Sequence, residues 1–393
     1  MRRSEQRILV THVGALPAPL DVWGNTDAPV GAQRAVVADV VRQQREAGVD
    51  FVNEGEVTKG GTWVQFINAR LGGFEPAKEQ GAAALLLLSS ADWIEFGDFY
   101  GRSLERGTLF EDTGDAPKSL GTRGRIDWAC TSAITYRGEA ALAREIEVLK
   151  ASLGDIPASD AFLTSTAPMS VEVGRKNEFY PTQEAFLEAL AEALRLEYEG
   201  IAKAGLQVQI DDAWMAALWD RIGIKMGLPA YRKYCRLRIE ALNHALRNVP
   251  EEQVRYHLCW GSWHGPHSHD LPLPDIVDLM LSVKAQTYLF EAANVRHEHE
   301  AEVWDRVRLP AGKILAPGCV THSTVLVEHP ELVAGRLERF ARKVGRENVI
   351  ASTDCGLGLR CHPQIAWAKL RSLSEGARRA SGRLWGAQMS EDP

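Results

Sequence analysis

The chain has 393 residues, 45% of them hydrophobic and 25% charged, with six cysteines and a formal net charge of −7. That balance is ordinary for a globular protein; it offers no basic footprint for nucleic acid and too few cysteines for a disulfide scaffold. The opening MRRSEQRILVTHVG lacks the apolar core of a signal peptide, and the apolar run at 82–90 is too short to span a bilayer, so a cytoplasmic protein without a membrane partner is expected.

In chain order, short apolar runs alternate with longer segments of helical period. The first strand is expected at 8–14 (ILVTHVG) and the second at 50–56 (DFVNEGE). Residues 75–150 then break the alternation. They read as an insertion between the second and third strands, a hairpin with small helices, with a ninth strand at 126–135 as the competing reading. Alternation resumes with strands at 162–167 (FLTSTA), 207–212 (QVQIDD), 254–260 (VRYHLCW), 287–292 (TYLFEA), 314–320 (ILAPGCV) and 349–355 (VIASTDC). Helical patterns fill the gaps, notably 183–204 and 330–344, the latter with Pro330 suited to a first turn. Eight strands each followed by a helix predict a (β/α)8 TIM barrel, α/β in class, as a single domain over 1–393.

In such a barrel the chemistry sits at the carboxyl ends of the strands. Here those ends carry His12, Glu54, Glu56, Asp211, Asp212, His257, Cys259, Glu291, His322, Asp354 and Cys355. His257 and Cys259 are two apart, so on a strand they share a face. Together with Glu291 and Cys355 they make a His, a carboxylate and two thiolates, a set that suits tetrahedral zinc. Gly356 leaves space beside Cys355. Cys319 is a competing ligand at another strand end, and Cys361 is expected in the loop beyond. Cys130 and Cys235 read as core. The histidines of WHGPHSHD (His264, His267, His269) and RHEHE (His297, His299) read as a solvated loop and a helix start, with a minor role in shaping the mouth of the site.

The motifs HLC (257–259), FEAAN (290–294), GCVTHS (318–323) and STDCGLGLR (352–360), in this order, resemble the catalytic C-terminal barrel of the cobalamin-independent methionine synthase family. Upstream, VTHVGALP (10–17), DFVNEGE (50–56) and QIDDAW (209–214) are similar to that family's first strand, Val-His-Gly-Glu and Ile-Asp-Glu-Pro-Ala motifs. The resemblance covers nearly the whole chain and lacks the family's separate N-terminal half. It implies Zn2+ held by His257, Cys259, Glu291 and Cys355. It implies a homocysteine thiol substrate with its amino group on Glu56 and Asp211, His12 and Gly14 nearby in the first-strand motif, and His322 handling a proton.

The chain departs from the family at several points. Ala15 stands for a serine, Asp212 for a glutamate and Thr321 for an aspartate, while Ala292–Arg296 replaces the folate-touching segment. A tryptophan-bearing segment before the third strand has no counterpart. The expected partners are therefore a small-molecule thiol and an alkyl donor of open identity, with Trp260 and Trp263 as candidate walls of the donor pocket and an open oligomeric state. Zinc-activated alkylation of the thiol is the leading expectation. An addition of coenzyme M to an epoxide, a metal-free decarboxylase-like barrel and a non-catalytic zinc or thiol sensor are the alternatives.

Overall fold

The computed structural model describes residues 1–25, 27–59, 66–109 and 126–386. Its larger sheet is parallel and joins β1 (Leu9–Val10), β10 (Ile350–Thr353), β9 (Ile314–Val320), β8 (Thr287–Phe290), β7 (Val254–Leu258), β6 (Gln207–Asp212) and β4 (Phe162–Thr166) in that order. An eighth segment closes the ring. Asp50 and Phe51 donate their backbone N–H groups to the Val10 carbonyl, and Val52 pairs in parallel with Ala161. Val52 N–H then reaches the Asp160 carbonyl at 3.0 Å, and Phe162 N–H returns to Val52 at 3.0 Å. The second strand expected over 50–56 is thus reduced to one bridge, because the chain turns at Gly55 and Glu56, both with left-handed φ (+71° and +60°). The TIM barrel expected from the sequence is what the chain forms.

Helices follow the strands as the alternation predicts: Val30–Glu46, Glu139–Ser152, Gln183–Lys203, Leu228–Ala245, Val277–Ser282, Pro330–Val344 and Pro363–Trp385, with a 3-10 turn, Glu298–Asp305, after β8. Local chemistry sets where they start. Thr182 accepts from the Ala185 N–H at 3.1 Å at the head of Gln183–Lys203, and Pro330 and Pro363 occupy first-turn positions where no N–H partner is needed. Among the described residues no helix is long and apolar enough to cross a membrane.

The expected insertion lies between the second and third barrel strands. The excursion is shorter than 75–150. β2 (Leu71–Pro76) pairs antiparallel with β3 (Trp128–Tyr136), and β5 (Arg175–Asn177) adds in parallel to β3. Three helices, Ala82–Leu88, Ala91–Glu95 and Gly97–Arg106, follow β2. The strand anticipated at 126–135 exists in this small sheet rather than in the barrel wall, so the segment is the expected insertion and supplies no ninth barrel strand. Residues 139–152 are an ordinary barrel helix. Buried Arg70, just before β2, pairs with Glu145 and Glu197 on two barrel helices and fastens the excursion to the barrel.

Inside the barrel, side chains change character along each strand. A cluster of Leu9, Val13, Phe51, Leu289, Ile314, Ala316 and Ile350 fills the apolar layer. Two and four residues on, the same faces carry Glu291 after Leu289, and Ser352 and Asp354 after Ile350, as the period of two requires. A dry floor and an ionisable rim follow from that alternation. Replacing Arg70 with Met leaves the Glu145 and Glu197 carboxylates buried without their guanidinium. We expect a loss of about 3–5 kcal/mol of stability, measured by urea unfolding.

Candidate metal centre

β7 carries His257 near its end, and Cys259 follows one residue beyond Leu258. Glu291 follows β8 in the same way, and Cys355 lies two residues beyond Thr353 at the end of β10. The ring brings them together. The Cys259 and Cys355 sulfurs are 3.9 Å apart, and the Cys259 sulfur is 3.6 Å from Glu291 Oε1. A nitrogen of His257 lies with both sulfurs inside a 4.8 Å group. Two sulfurs bound at about 2.3 Å to one tetrahedral ion stand about 3.8 Å apart, so the spacing fits a shared metal and is far too long for a disulfide.

The surroundings prepare the set. His257 Nδ1 donates to Asp211 Oδ1 at 2.9 Å, which leaves the Nε2 lone pair pointing away from that partner. Nε2 is buried with no hydrogen-bond partner, a costly state for a polar atom unless something binds it. Glu291 is turned by two donors, the Trp260 N–H on Oε1 at 3.0 Å and Asn294 Nδ2 on Oε2 at 2.7 Å. Asp354 holds the loop that follows: its Oδ1 accepts from the Ala292 and Ala293 N–H groups at 2.8 Å, and its Oδ2 from Asn294 at 3.1 Å. A side chain at Gly318 would overlap the Asp354 carboxylate. Fixing the outer groups in this way fixes ligand orientation.

Electrostatics follow from burial. The hydrogen bond from Cys259 holds the Cys355 thiol down at about 6, while Cys259 itself is pushed far up, so the pair carries one proton between them. Burial raises Glu291 to about 7 and Glu56 to about 8, the latter with help from the negative charge of Asp211. Glu56 Oε1 rests 3.2 Å from Thr164 Oγ1. Its left-handed backbone costs about 1–3 kcal/mol, the kind of strain that accumulates at working sites. Gly14 makes room for it: a Cβ there would come within 2.5 Å of Glu56 Oε1.

A cavity of about 150 Å³ opens over this centre, lined by Glu56, Asp211, His257, Cys259 and Cys355. The other expected site residues lie behind that surface. Gly14 backs Glu56. His322 is buried with its Nδ1 unpartnered and shares a 4.8 Å group with Glu291 and Asp354; burial, with the Arg360 charge nearby, drives it far below its usual value, so it is neutral. His12 stands apart from the cavity lining. Its Nε2 donates to Gln44 Oε1 at 2.8 Å and its ring packs on Phe162. Cys319 sits elsewhere, its thiol on the Pro317 carbonyl, and the Cys361 thiol reaches the His322 carbonyl. Cys130 and Cys235 are core.

Two features were read differently from the sequence. Of the histidines expected in a solvated loop and helix start, His297 (3% exposed) and His267 (side chain 14%) are packed into a network, while His269 (side chain 35%) and His299 stay at the surface. Burial works against the charge on His297, but the carboxylates of Asp270 and Glu300 outweigh it and lift the imidazole to about 10. The sequence signal was present in Asp270 of HSHD and Glu300 of HEHE, each three residues after the ring it pairs with. The second feature was missed outright. Trp93 and Tyr100 of the insertion, with Arg221 after β6 and Arg360 after β10, line the cavity. Spacing cannot reveal a wall assembled from a distant hairpin.

No family model matches the chain. Curated relatives do. A methionine synthase from Thermococcus kodakarensis is 26% identical over 212 residues, 54% of each chain. One from Methanothermobacter marburgensis is 28% identical over 217 residues, 54% of this chain and 60% of that one. The chain is similar to these methionine synthases over about half of its length. The matched part spans about half the length of those relatives. A solved B12-independent methionine synthase from a Shewanella species, in complex with selenomethionine, superposes with a TM-score of 0.68 at 17% identity, over 96% of this chain and 99% of that one. That likeness bears on the fold, and it is the same barrel.

Glu56 supplies a pH test. Its folded value of about 8 exceeds its ordinary 4.5, so the folded state holds a proton that the unfolded state releases between those values, and stability falls as pH rises through that window. In substrate-free protein, Glu56→Gln removes this slope. We expect its thermal midpoint to match wild type near pH 4.5 and to exceed it at pH 8 and above, followed by calorimetry across that range.

Proposed function

We propose that the protein is a zinc-dependent thiol S-alkyltransferase that transfers a methyl group to homocysteine. One observation carries the reading. Two thiols 3.9 Å apart and an unpartnered buried His257 Nε2 face the same cavity as two carboxylates, Glu56 and Asp211. The first group is the donor set of a zinc site; the second is what an amino acid's ammonium requires. Zinc in that set supplies a coordinated thiolate at neutral pH.

The chain's own residues do the rest. Glu56 and Asp211 together take the substrate ammonium, and the proton that burial keeps on Glu56 leaves as that cation arrives. Asp211 serves both sides, since its Oδ1 also accepts from His257 Nδ1 and so fixes the tautomer that offers Nε2. Glu291 would complete the zinc set, and neutral His322, in one 4.8 Å group with Glu291 and Asp354, is placed to accept the proton that the incoming thiol gives up. The aromatic side of the cavity excludes water from the attacking sulfur. The methyl donor is open. Opening of an epoxide by a sulfonate thiol is the second reading, favoured by the cationic Arg360 beside Cys355 on the cavity surface, though a sulfonate thiol carries no ammonium for Glu56 and Asp211.

Protein purified without added zinc should contain about one zinc per chain by elemental analysis, and Cys259→Ser and Cys355→Ser should each lose it. Mass spectrometry should detect a thioether from homocysteine with a methyl donor; consumption of coenzyme M with a small epoxide, and none of homocysteine, would move the assignment to the second reading. Asp211→Asn should weaken zinc affinity by about 10–100-fold through His257 and raise the homocysteine KM as well, read by chelator competition and steady-state kinetics.

A further inference from the structure

Asp211 serves two neighbours at once, and the residues beneath it decide how. Gln209 and Arg255 are completely buried and stand side by side across β6 and β7, one layer below Asp211 and His257 in the same register. Alternation along the two strands turns all four side chains into the barrel. Gln209 Nε2 donates to the Val13 carbonyl and, at 2.9 Å, to Asp211 Oδ1. His257 Nδ1 donates to the same oxygen at 2.9 Å. Both partners of Nε2 are oxygens that only accept, so the amide has one workable orientation.

Two donors on one oxygen have a consequence for the other. The last torsion of an aspartate is broad and roughly two-fold, so a carboxylate held by His257 alone can swivel. Held at Oδ1 from β6 and β7 together, it cannot turn without breaking a bond. The Asp211 side chain keeps 11% of its surface accessible and lines the cavity. The oxygen left for a ligand is therefore Oδ2.

Arg255 backs the amide. Its Nη2 donates to the His12 carbonyl at 2.8 Å, and its guanidinium lies 3.7 Å from the centroid of the Phe162 ring. Its Nε and Nη1 are buried without a partner, and so is Gln209 Oε1 across the ladder. These are two donors and one acceptor that match each other on paired strands. Burial pulls the guanidinium down to about 9, with the Asp211 charge working against it. Cation, amide, carboxylate and imidazole thus form one polar strip up the barrel interior.

We infer that Gln209 is a positioning residue for both halves of the site. It holds Asp211 Oδ1 on His257 Nδ1, which keeps Nε2 of that ring toward the two sulfurs, and it leaves Oδ2 for the substrate ammonium. The hold on His257 stands on geometry alone; the ammonium rests on the homocysteine reading.

Gln209→Met keeps the length of the side chain and removes the donor. Gln207→Met, the same change one layer lower, where the amide nitrogen goes to the Ser159 carbonyl, is the control. Zinc affinity by chelator competition should fall about 10–100-fold in Gln209→Met and stay at wild type in Gln207→Met. At saturating zinc, calorimetry should show wild type binding homocysteine more tightly than 4-mercaptobutanoate, its counterpart without the ammonium. Gln209→Met should lose about tenfold of that preference while its affinity for 4-mercaptobutanoate is unchanged, a split that a merely loosened site would not give. If Gln209→Met does not fold, Gln209→Asn carries the test, since it withdraws the amide by one methylene and should show the same two losses. Unchanged zinc affinity or unchanged thiol preference in the folded variant, or equal losses in Gln207→Met, overturns the inference. A zinc loss in Gln209→Met beside a wild type that does not distinguish the two thiols leaves the hold on His257 standing and overturns only the homocysteine reading.

Discussion

The hydrogen bond between Asp211 and His257 is the interaction on which the centre depends. Both residues sit at neighbouring carboxyl ends of a parallel barrel, in register across β6 and β7, and both are buried. Without that bond the imidazole has no reason to present Nε2 toward the two sulfurs. With it, one carboxylate links the pocket expected for an ammonium to the site expected for a metal.

The same dry rim explains the perturbed acids. Burial penalises charge on these groups, so each ionisable group depends on its neighbours. Glu291 rises toward neutrality, Cys355 falls because Cys259 donates to it, and His322 stays neutral among other cations. These displacements point in the directions a thiol-binding site needs: a sulfur ready to ligate, and acceptors poised for the proton a thiol releases. The apolar layer of Leu289, Ile314 and Ile350 beneath keeps the rim rigid and keeps water from entering from below.

The insertion changes the character of one wall. Its β2–β3 hairpin is anchored by Arg70, and its helices bring Trp93 and Tyr100 to the cavity. Tyr100 in turn meets Trp263, which stands on the buried histidine–carboxylate chain. Two parts of the sequence some 160 residues apart thus share one boundary of the site, and neither completes it alone. The departures from the methionine synthase family after Glu291 fall where this wall is built: Asn294 orients Glu291 instead, and His297 begins the buried chain.

Local periodicity was enough to place the barrel strands, the helices between them and the polar residues at strand ends, because alternation and helical repeat act over a few residues and the same apolar faces must be buried wherever the chain goes. His257 and Cys259 on one face of β7 followed from that alone, as did the presence of an irregular hairpin before residue 150. Closure of the ring decided the rest. It brought Cys355 within 3.9 Å of Cys259 and left His257 Nε2 without a partner. It placed His12 on Gln44 rather than on the cavity and turned the histidine loop inward onto Asp270 and Glu300. The His267–Asp270 and His297–Glu300 pairs are three residues apart and legible locally, whereas Asp211–His257 and Asp270–His297 join residues 46 and 27 apart, which no short-range pattern encodes.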